Sequence, residues 1–476
     1  MATETLSIEP LPYRRDSLAL FAPVAHRPWA LLLDSGVRTD APTGGSSFGT
    51  GRYDIVVAEP KRTLVTQGPM TEVRGPGTVR LSPEDPFALV RKCLGPRILL
   101  PADWPPGLPF PGGALGYFGY DLVRRLERLP SPFPDPLGVP QMAIGIYDQA
   151  LVVDHGEGRT WLVGRRGSAP ETRTLLLRLA HGDIPCRPPR PFTIGGPLRS
   201  NMEAAAYARH FARIQAWIQA GDCYQVNLAR RFSVRATGDP WTAYLELRAL
   251  SPAPFAAYLN TPGGRILSSS PERFLRLVGD EVETRPIKGT RPRGTDPAED
   301  RRLAAELAES PKDRAENLMI VDLLRNDLGR TCAPGTIRVP RLFQVETYPG
   351  VHHLVSTVTG RLAAGADALD LLRGCFPGGS VTGAPKIRAM QIIDALEGEP
   401  RGVYCGSIAY LGFDGSLDSS ILIRTLVQAS GELRFWAGGG IIADSSCAAE
   451  WQEIAVKAKA MSKVVTRLGG DAAGLG

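Results

Sequence analysis

Asp313 and Glu316, and again Glu450 and Glu453, are carboxylates spaced three apart. On a helix that spacing puts both side chains on one face. The company is apolar: Glu316 precedes Leu318, Met319, Ile320 and Val321, and Glu450 and Glu453 lie among Ala449, Trp451, Ile454 and Ala455. A carboxylate in such surroundings calls for a counter-charge. Two helices converging with these faces would offer hard oxygen ligands suited to Mg²⁺. Taken singly, either pair can equally be a solvated helix face, and the spacing alone leaves both readings open. Lys288, in Pro286-Ile287-Lys288-Gly289-Thr290, is flanked by apolar and small residues. Desolvation there would lower its pKa and make it a nucleophile; the alternative is an ordinary exposed lysine at a strand end. Gly438-Gly439-Gly440 and the run Thr382-Gly383-Ala384-Pro385-Lys386 could bring backbone N–H groups close to a carboxylate or phosphate. Neither has the spacing of a P-loop or of a dinucleotide-binding fingerprint.

The elements that must position these residues can be read around them. Ser310 and Pro311 form a helix start, a capping residue followed by proline at the first helical position, and the helix should run to about Asn326 with Gly329 beyond it. The helix carrying Glu450 should follow Asp444-Ser445, and Met202–Ala220 has helical apolar spacing. Hairpins are expected at Pro254–Ser269 and Arg273–Ile287, which puts Lys288 at the end of a strand. Ala143–His155 and Thr160–Gly164 read as another hairpin, and Tyr404–Phe413, Ser420–Ala429 and Leu433–Trp436 as further strands. Many antiparallel strands with long helices between them predict an α+β fold. Ile184–Pro197, with five prolines and two glycines, reads as a linker. The expected division is therefore 1–190, an N-terminal region with its linker, and 191–476, the region holding the reactive residues.

Composition narrows the class. Of 476 residues, 43% are hydrophobic and 22% charged, ordinary for a globular protein with a sizeable core. No run approaches the roughly 18 apolar residues that span a bilayer, and the first ten residues have no apolar signal core, so no membrane and a cytoplasmic location are expected. The seven cysteines are scattered without C-x-x-C spacing, which supports neither a disulfide framework nor a zinc site. The net charge of +6 is spread along the chain without dense basic runs, so a nucleic-acid partner is not expected.

Taken together, the segments GDCYQVNLARRF, SSSPERFL, PIKGTRPRG, DRAENLMIVDLLRNDLGR, HHLVSTVTGRL, FPGGSVTGAPKIRAM, YCGSIAYLGFDG and AGGGIIADSSCAAEWQE resemble the chorismate-utilising enzymes. The resemblance runs from about Met202 to Val464. It implies large antiparallel sheets packed as a sandwich with flanking helices, as in anthranilate synthase component I, and chorismate as substrate. Two positions sort the members. Anthranilate synthases carry alanine where this chain has Lys288, and isochorismate synthases carry a water-activating lysine where this chain has Gln225. Both choices resemble the aminodeoxychorismate synthase branch, whose lysine attacks the chorismate ring.

The resemblance also implies roles. Glu316, Glu450 and Glu453 match metal-contacting glutamates holding Mg²⁺, with Asp313 behind them. Glu272 matches the general acid that protonates the departing hydroxyl, and Lys288 the covalent nucleophile. Arg424 and Tyr404 match residues at the substrate carboxylates, with the Gly439 and Gly440 amides and Lys386 alongside, and His353 and Thr382 match polar residues lining the ring site. A glutamine amidotransferase subunit (component II) is the expected ammonia source, feeding para-aminobenzoate and folate biosynthesis. Leu32-Leu33-Asp34-Ser35 resembles a tryptophan-binding segment but has aspartate where the family has glutamate; a plain core strand is the other reading. The alternatives are an anthranilate synthase component I, against which Lys288 stands, and a catalytically dead chorismate-binding protein, against which the retained Lys288 and four glutamates stand.

Overall fold

The computed structural model describes residues 5–36, 51–129, 135–348 and 350–472. Two large antiparallel sheets face each other, as the α+β reading anticipated, each with twelve strands among the described residues. The first runs from Leu6–Leu11 at one edge, through Gln149–Asp154, Leu31–Asp34 and Phe255–Thr261 at its centre, to Glu432–Ile441, Gln225–Thr237 and Thr193–Ser200 at the other. The second runs from Ile287–Pro292 and Val351–Arg361, through Arg273–Val278 and Ser407–Gly412, to Thr78–Ser82.

The sequence alternation sets the layers. Along the central strands successive side chains point to opposite faces. Leu31, Ile55, Val57 and Val152 enter the core between the sheets, while Leu32, Val56, Leu151 and Val153 enter a second core on the outer face of the first sheet. Helices Pro170–His181, Ala204–Gln219, Pro240–Leu250, Lys386–Glu397 and Cys447–Arg467 cover that outer face with residues such as Leu176, Ile214, Tyr244, Ile393 and Ile454. These strands are therefore buried on both faces, which explains their nearly continuous apolar runs. Strands from both sides of residue 190 enter both sheets.

Several segments differ from the sequence reading. The Ile184–Pro197 stretch becomes regular at Thr193, where Thr193–Ser200 forms an edge strand with a register shift between Gly195 and Arg199. An edge and a bulge are the places where a strand tolerates Pro197. Ala143–His155 is two strands, not one: Met142–Tyr147 lies in the second sheet and Gln149–Asp154 in the first. Ser420–Ala429 splits in the same way, with Leu417–Ile421 in the second sheet and Thr425–Ala429 in the first. A third crossing, at Pro271 and Glu272, joins Gly264–Ser270 to Arg273–Val278. The last two crossings are bonded to each other's strands: Ile421 N–H donates to the Glu272 carbonyl at 3.1 Å, and Ser269 N–H to the Arg424 carbonyl at 3.1 Å. Two chain crossings thus open one end of the sandwich side by side. Among the described residues no helix is long and apolar enough to cross a membrane.

Candidate active site

Glu272 and Arg424 sit on those paired crossings. Arg424 adopts φ +53°, a left-handed conformation uncommon for a non-glycine residue and characteristic of functional sites. Lys288 comes from Ile287–Pro292, an edge strand of the second sheet, near its start and on an irregularity between Ile287 and Thr290. Gly289 makes that irregularity possible: at φ +80° a Cβ would stand 2.8 Å from Leu307 and 2.9 Å from Asp313.

The Lys288 amine points inward and donates to the Ser380 carbonyl at 3.3 Å, while the Ser380 hydroxyl bonds the Glu272 carboxyl. Glu272 is 5% exposed. Burial pushes its carboxyl up to about 7, against the pull of Ser380, Lys288 and the Ile287 N–H. Burial likewise depresses the Lys288 amine, and Lys457 adds to the effect; Glu316, Glu272 and Glu453 oppose it. An acid able to keep its proton and an amine able to lose one therefore share one turn of chain.

The two carboxylate helices converge. Ser310 caps Pro311–Leu328 through the Asp313 N–H at 3.3 Å, and Ser446 caps Cys447–Arg467 through the Ala449 N–H at 3.4 Å. Glu450 is almost fully buried, accepting from Ser445 Oγ at 2.7 Å and lying 3.2 Å from Lys312 Nζ. Glu316 stands 3.8 Å from the same lysine. Its carboxyl is raised by burial and by repulsion from Glu453 and Glu450, against Lys288 and Lys312. Burial opposes ionisation of Glu453 as well, but Lys457, 2.6 Å away, together with Lys312 and Lys288 holds that carboxyl below the usual range. Asp313 pairs with Arg291 at 3.2 Å and backs the Gly289 turn.

Gly438, Gly439 and Gly440 lie inside the Glu432–Ile441 strand, paired with Ala229, Leu228 and Asn227 in turn, and do not form a loop at a helix start. Their bareness makes room: a Cβ at Gly439 would stand 2.9 Å from Glu450 Oε2, and one at Gly440 would stand 2.4 Å from Gln225 Nε2. Gln225 is fully buried with neither amide atom partnered, and Asn227 Oδ1 is also unpartnered. Such buried polar atoms are costly unless something polar meets them.

On the other side of Lys288, His353 shares a 2.9 Å bond between Nδ1 and Thr290 Oγ1, and burial with the nearby Arg424 lowers it to about 4, so its ring is neutral at pH 7. Burial also lowers the Arg424 guanidinium, against a smaller opposing effect of the Tyr404 phenol. A half-buried cation so placed favours an incoming carboxylate. Tyr404 is buried and stacks on Trp436 at 5.9 Å between centroids.

Two expected residues are otherwise employed. Lys386 is committed to a buried ion pair with Asp327 at 2.6 Å and to the Cys375 carbonyl at 2.7 Å, so the structure does not present it as a free cation to the cluster. The Thr382 hydroxyl closes its own turn on the Gly378 and Gly379 carbonyls at 3.1 and 3.3 Å. Sequence reading missed Ser380, Lys312 and Lys457, the last also bonded to the Gly438 carbonyl at 3.0 Å. The signal for both lysines was present: each lies four residues from a glutamate of the cluster.

Three carboxylates on two helices are the donor chemistry of a hard divalent cation, and burial, with smaller repulsion from Glu453 and Glu450, raises the Glu316 carboxyl. Among the described residues no three acidic, His or Cys side chains stand close enough to enclose an ion; lysine ammonium groups hold these carboxylates.

This geometry has relatives. The chorismate binding enzyme family matches residues 59–463. The chain belongs to the chorismate-binding enzymes. Within that family it is 50% identical over 444 residues to aminodeoxychorismate synthase component 1 of Klebsiella aerogenes, covering 93% of this chain and 95% of the relative. It is 43% identical over 402 residues to anthranilate synthase component 1 of Streptomyces coelicolor, covering 80% and 78%. Anthranilate synthase component I from Streptococcus pneumoniae TIGR4 superposes with a TM-score of 0.74 at 29% identity, over 89% of this chain and 95% of that one. This chorismate-binding chain is thus an enzyme, similar over nearly its whole length to aminodeoxychorismate synthase component 1.

A cavity of about 180 Å³ lies elsewhere, between the sheets, lined by Leu33, Asp34, Ser35, Tyr53, Phe255 and Tyr410 among others. Leu31–Asp34 is a central strand. The Asp34 carboxylate is held by Arg248 and by Tyr244 OH at 3.1 Å, and Ser35 Oγ by Asp54 at 2.7 Å.

Proposed function

We propose that this enzyme aminates chorismate to 4-amino-4-deoxychorismate through a covalent adduct at Lys288, in para-aminobenzoate biosynthesis. The observation that carries the reading is the Lys288 amine, depressed by burial, beside the raised carboxyl of Glu272 at the Ser380 turn. Anthranilate synthases, with alanine at this position, lack that amine.

Arg424, with Tyr404 beside it, receives a substrate carboxylate, and the neutral His353 and Thr290 border the ring. Glu316, Glu450 and Glu453 would hold Mg²⁺, which when bound withdraws charge from the ring carboxylate. Glu272 donates its proton to the departing hydroxyl, which leaves as water while the Lys288 lone pair bonds to the conjugated ring. The new secondary ammonium passes a proton to the Glu272 carboxylate or to solvent. Ammonia then adds at the carbon that lost the hydroxyl, and the conjugated electrons shift to release Lys288. Glu272 returns that proton to the lysine nitrogen as the bond breaks, so Lys288 leaves as a neutral amine, and the product's new ammonium reprotonates Glu272 for another cycle. The unpartnered amide of Gln225 orients the incoming ammonia and has no basic group with which to activate water.

Incubation of the purified chain with chorismate, ammonium and Mg²⁺, with the product identified by mass, tests the reaction. An aminated product that keeps the enolpyruvyl group is expected; anthranilate would overturn the reading. Ammonium salts at raised pH should support turnover while glutamine does not, until a glutamine amidotransferase subunit is added. Glutamine-dependent turnover by the chain alone would refute the two-subunit arrangement.

The proposal also fixes a pH profile. Glu272 acts when protonated, and its free-enzyme pKa is about 7. At a fixed concentration of free ammonia, loss of the Glu272 proton should therefore pull kcat/KM down as pH rises through about 7, by up to tenfold per unit. Lys288 must be unprotonated, so its titration pulls kcat/KM the other way, down as pH falls. Glu272→Gln should be slow throughout and lose the basic limb alone. A basic limb unchanged in Glu272→Gln would remove the carboxyl from the role of acid.

Tryptophan is proposed for the cavity beside Leu33–Ser35. Because Asp34 is already bound to Arg248, that carboxylate is not free for a ligand amine. Calorimetric titration with tryptophan decides, and no heat of binding would exclude it.

A further inference from the structure

Lys312 is the one cluster residue that reaches across from one carboxylate helix to the buried acid of the other. It stands at the second position of Pro311–Leu328, where the helix dipole disfavours a cation. Its side chain is 42% exposed, so solvent is open to it, yet Nζ lies 3.2 Å from Glu450 Oε1 and 3.8 Å from Glu316 Oε1. Lys457, by contrast, holds Glu453 on its own helix and the Gly438 carbonyl, and bridges no helices. A divalent cation ligated by Glu450 and Glu316 would sit about 2.0–2.1 Å from their oxygens. An ammonium hydrogen-bonded to that oxygen and a cation bonded to it would repel each other at close range.

We propose that Lys312 is a tethered counter-ion that competes with the divalent cation for Glu450 and Glu316, and that it swings to solvent when the cation binds. This rests on the reading of those glutamates as cation ligands. The lysine neutralises the carboxylates and keeps the two helices together when no cation is present. It thereby weakens cation binding in the absence of chorismate.

The test is Mn²⁺ binding without substrate, followed by the paramagnetic resonance signal of the free ion, for wild type, Lys312→Met and Lys312→Gln. Both variants should bind Mn²⁺ roughly tenfold more tightly, as expected for removal of one directly contacting positive charge. The gain should persist at high salt, where long-range surface effects are screened. Lys312→Arg should stay near wild type. In melting experiments the variants should lose stability in chelator and gain more than wild type on adding Mn²⁺. Equal or weaker Mn²⁺ affinity in both neutral variants, or a gain abolished by salt, would overturn the competition while leaving the cation site standing. Failure of wild type and variants alike to bind Mn²⁺ would overturn the cation site itself, and the role of Lys312 with it.

Discussion

Lys288→Ala is expected to lose the covalent adduct and to lower kcat/KM for amination at neutral pH by roughly 10²-fold or more, about 3 kcal/mol of transition-state stabilisation. An exposed lysine, with a pKa near roughly 10.4, is overwhelmingly charged at neutral pH and cannot attack. Here burial lowers the amine against the pull of Glu316, Glu272 and Glu453, and Lys457 reinforces the lowering. Its hydrogen bond is to a carbonyl, the Ser380 oxygen, and not to a carboxylate that would lock it as an ammonium. Truncation leaves the Glu272 acid, the glutamates and Arg424 in place, so the remaining rate reports direct attack by ammonia. The measurement is intact-protein and peptide mass spectrometry after trapping with chorismate and Mg²⁺ in the absence of ammonia, set beside amination rates. No added mass at Lys288, together with wild-type rates for Lys288→Ala, would remove the covalent step.

The parts of the site that sequence could reach are those set by local rules. Ser310-Pro311 fixed the start of one carboxylate helix, and the spacings 313/316 and 450/453 placed acids on common faces. What sequence could not reach is set by the sandwich. Glu272 and Arg424 owe their positions to crossings between sheets, and the second lies inside the run ILIRTL, where Leu422 and Ile423 carry the apolar pattern past the end of the first strand. A strand buried on both faces and a strand that changes sheets present the same apolar residues, so alternation carries no signal there. The ion pair of Lys386 was out of reach for a related reason. Its partner Asp327 lies 59 residues away on another helix, and no local spacing announces that pair. The bonds of Lys312 to Glu450 and of Ser380 to Glu272 are long-range contacts of the same kind.

Glu450→Ala should lower turnover by roughly 10³-fold or more even at high Mg²⁺, the scale of losing a main electrostatic stabiliser from a water-poor site. Its position separates it from its two companions. Glu453 keeps 43% of its side chain exposed and is paired with Lys457 on its own helix, and Glu316 is only partly buried. Glu450 is 1% exposed, oriented by Ser445 Oγ, and given room by a glycine where any side chain would meet its Oε2. An acid held so firmly gives a cation a fixed ligand, whereas Glu453 can adjust. Glu453→Ala should therefore cost less turnover than Glu450→Ala and be partly recovered by raising Mg²⁺. The fold should survive the loss of Glu450, because Lys312 is long and partly exposed and can turn to Glu316 or to water, which avoids a stranded buried charge. Circular dichroism and melting in chelator check that survival, and steady-state rates across a Mg²⁺ series check the ranking. Near-wild-type turnover by Glu450→Ala at limiting Mg²⁺ would sink the assignment of this glutamate as the central ligand, and a cooperative melt alongside it would show that the result came from the chemistry and not from the fold.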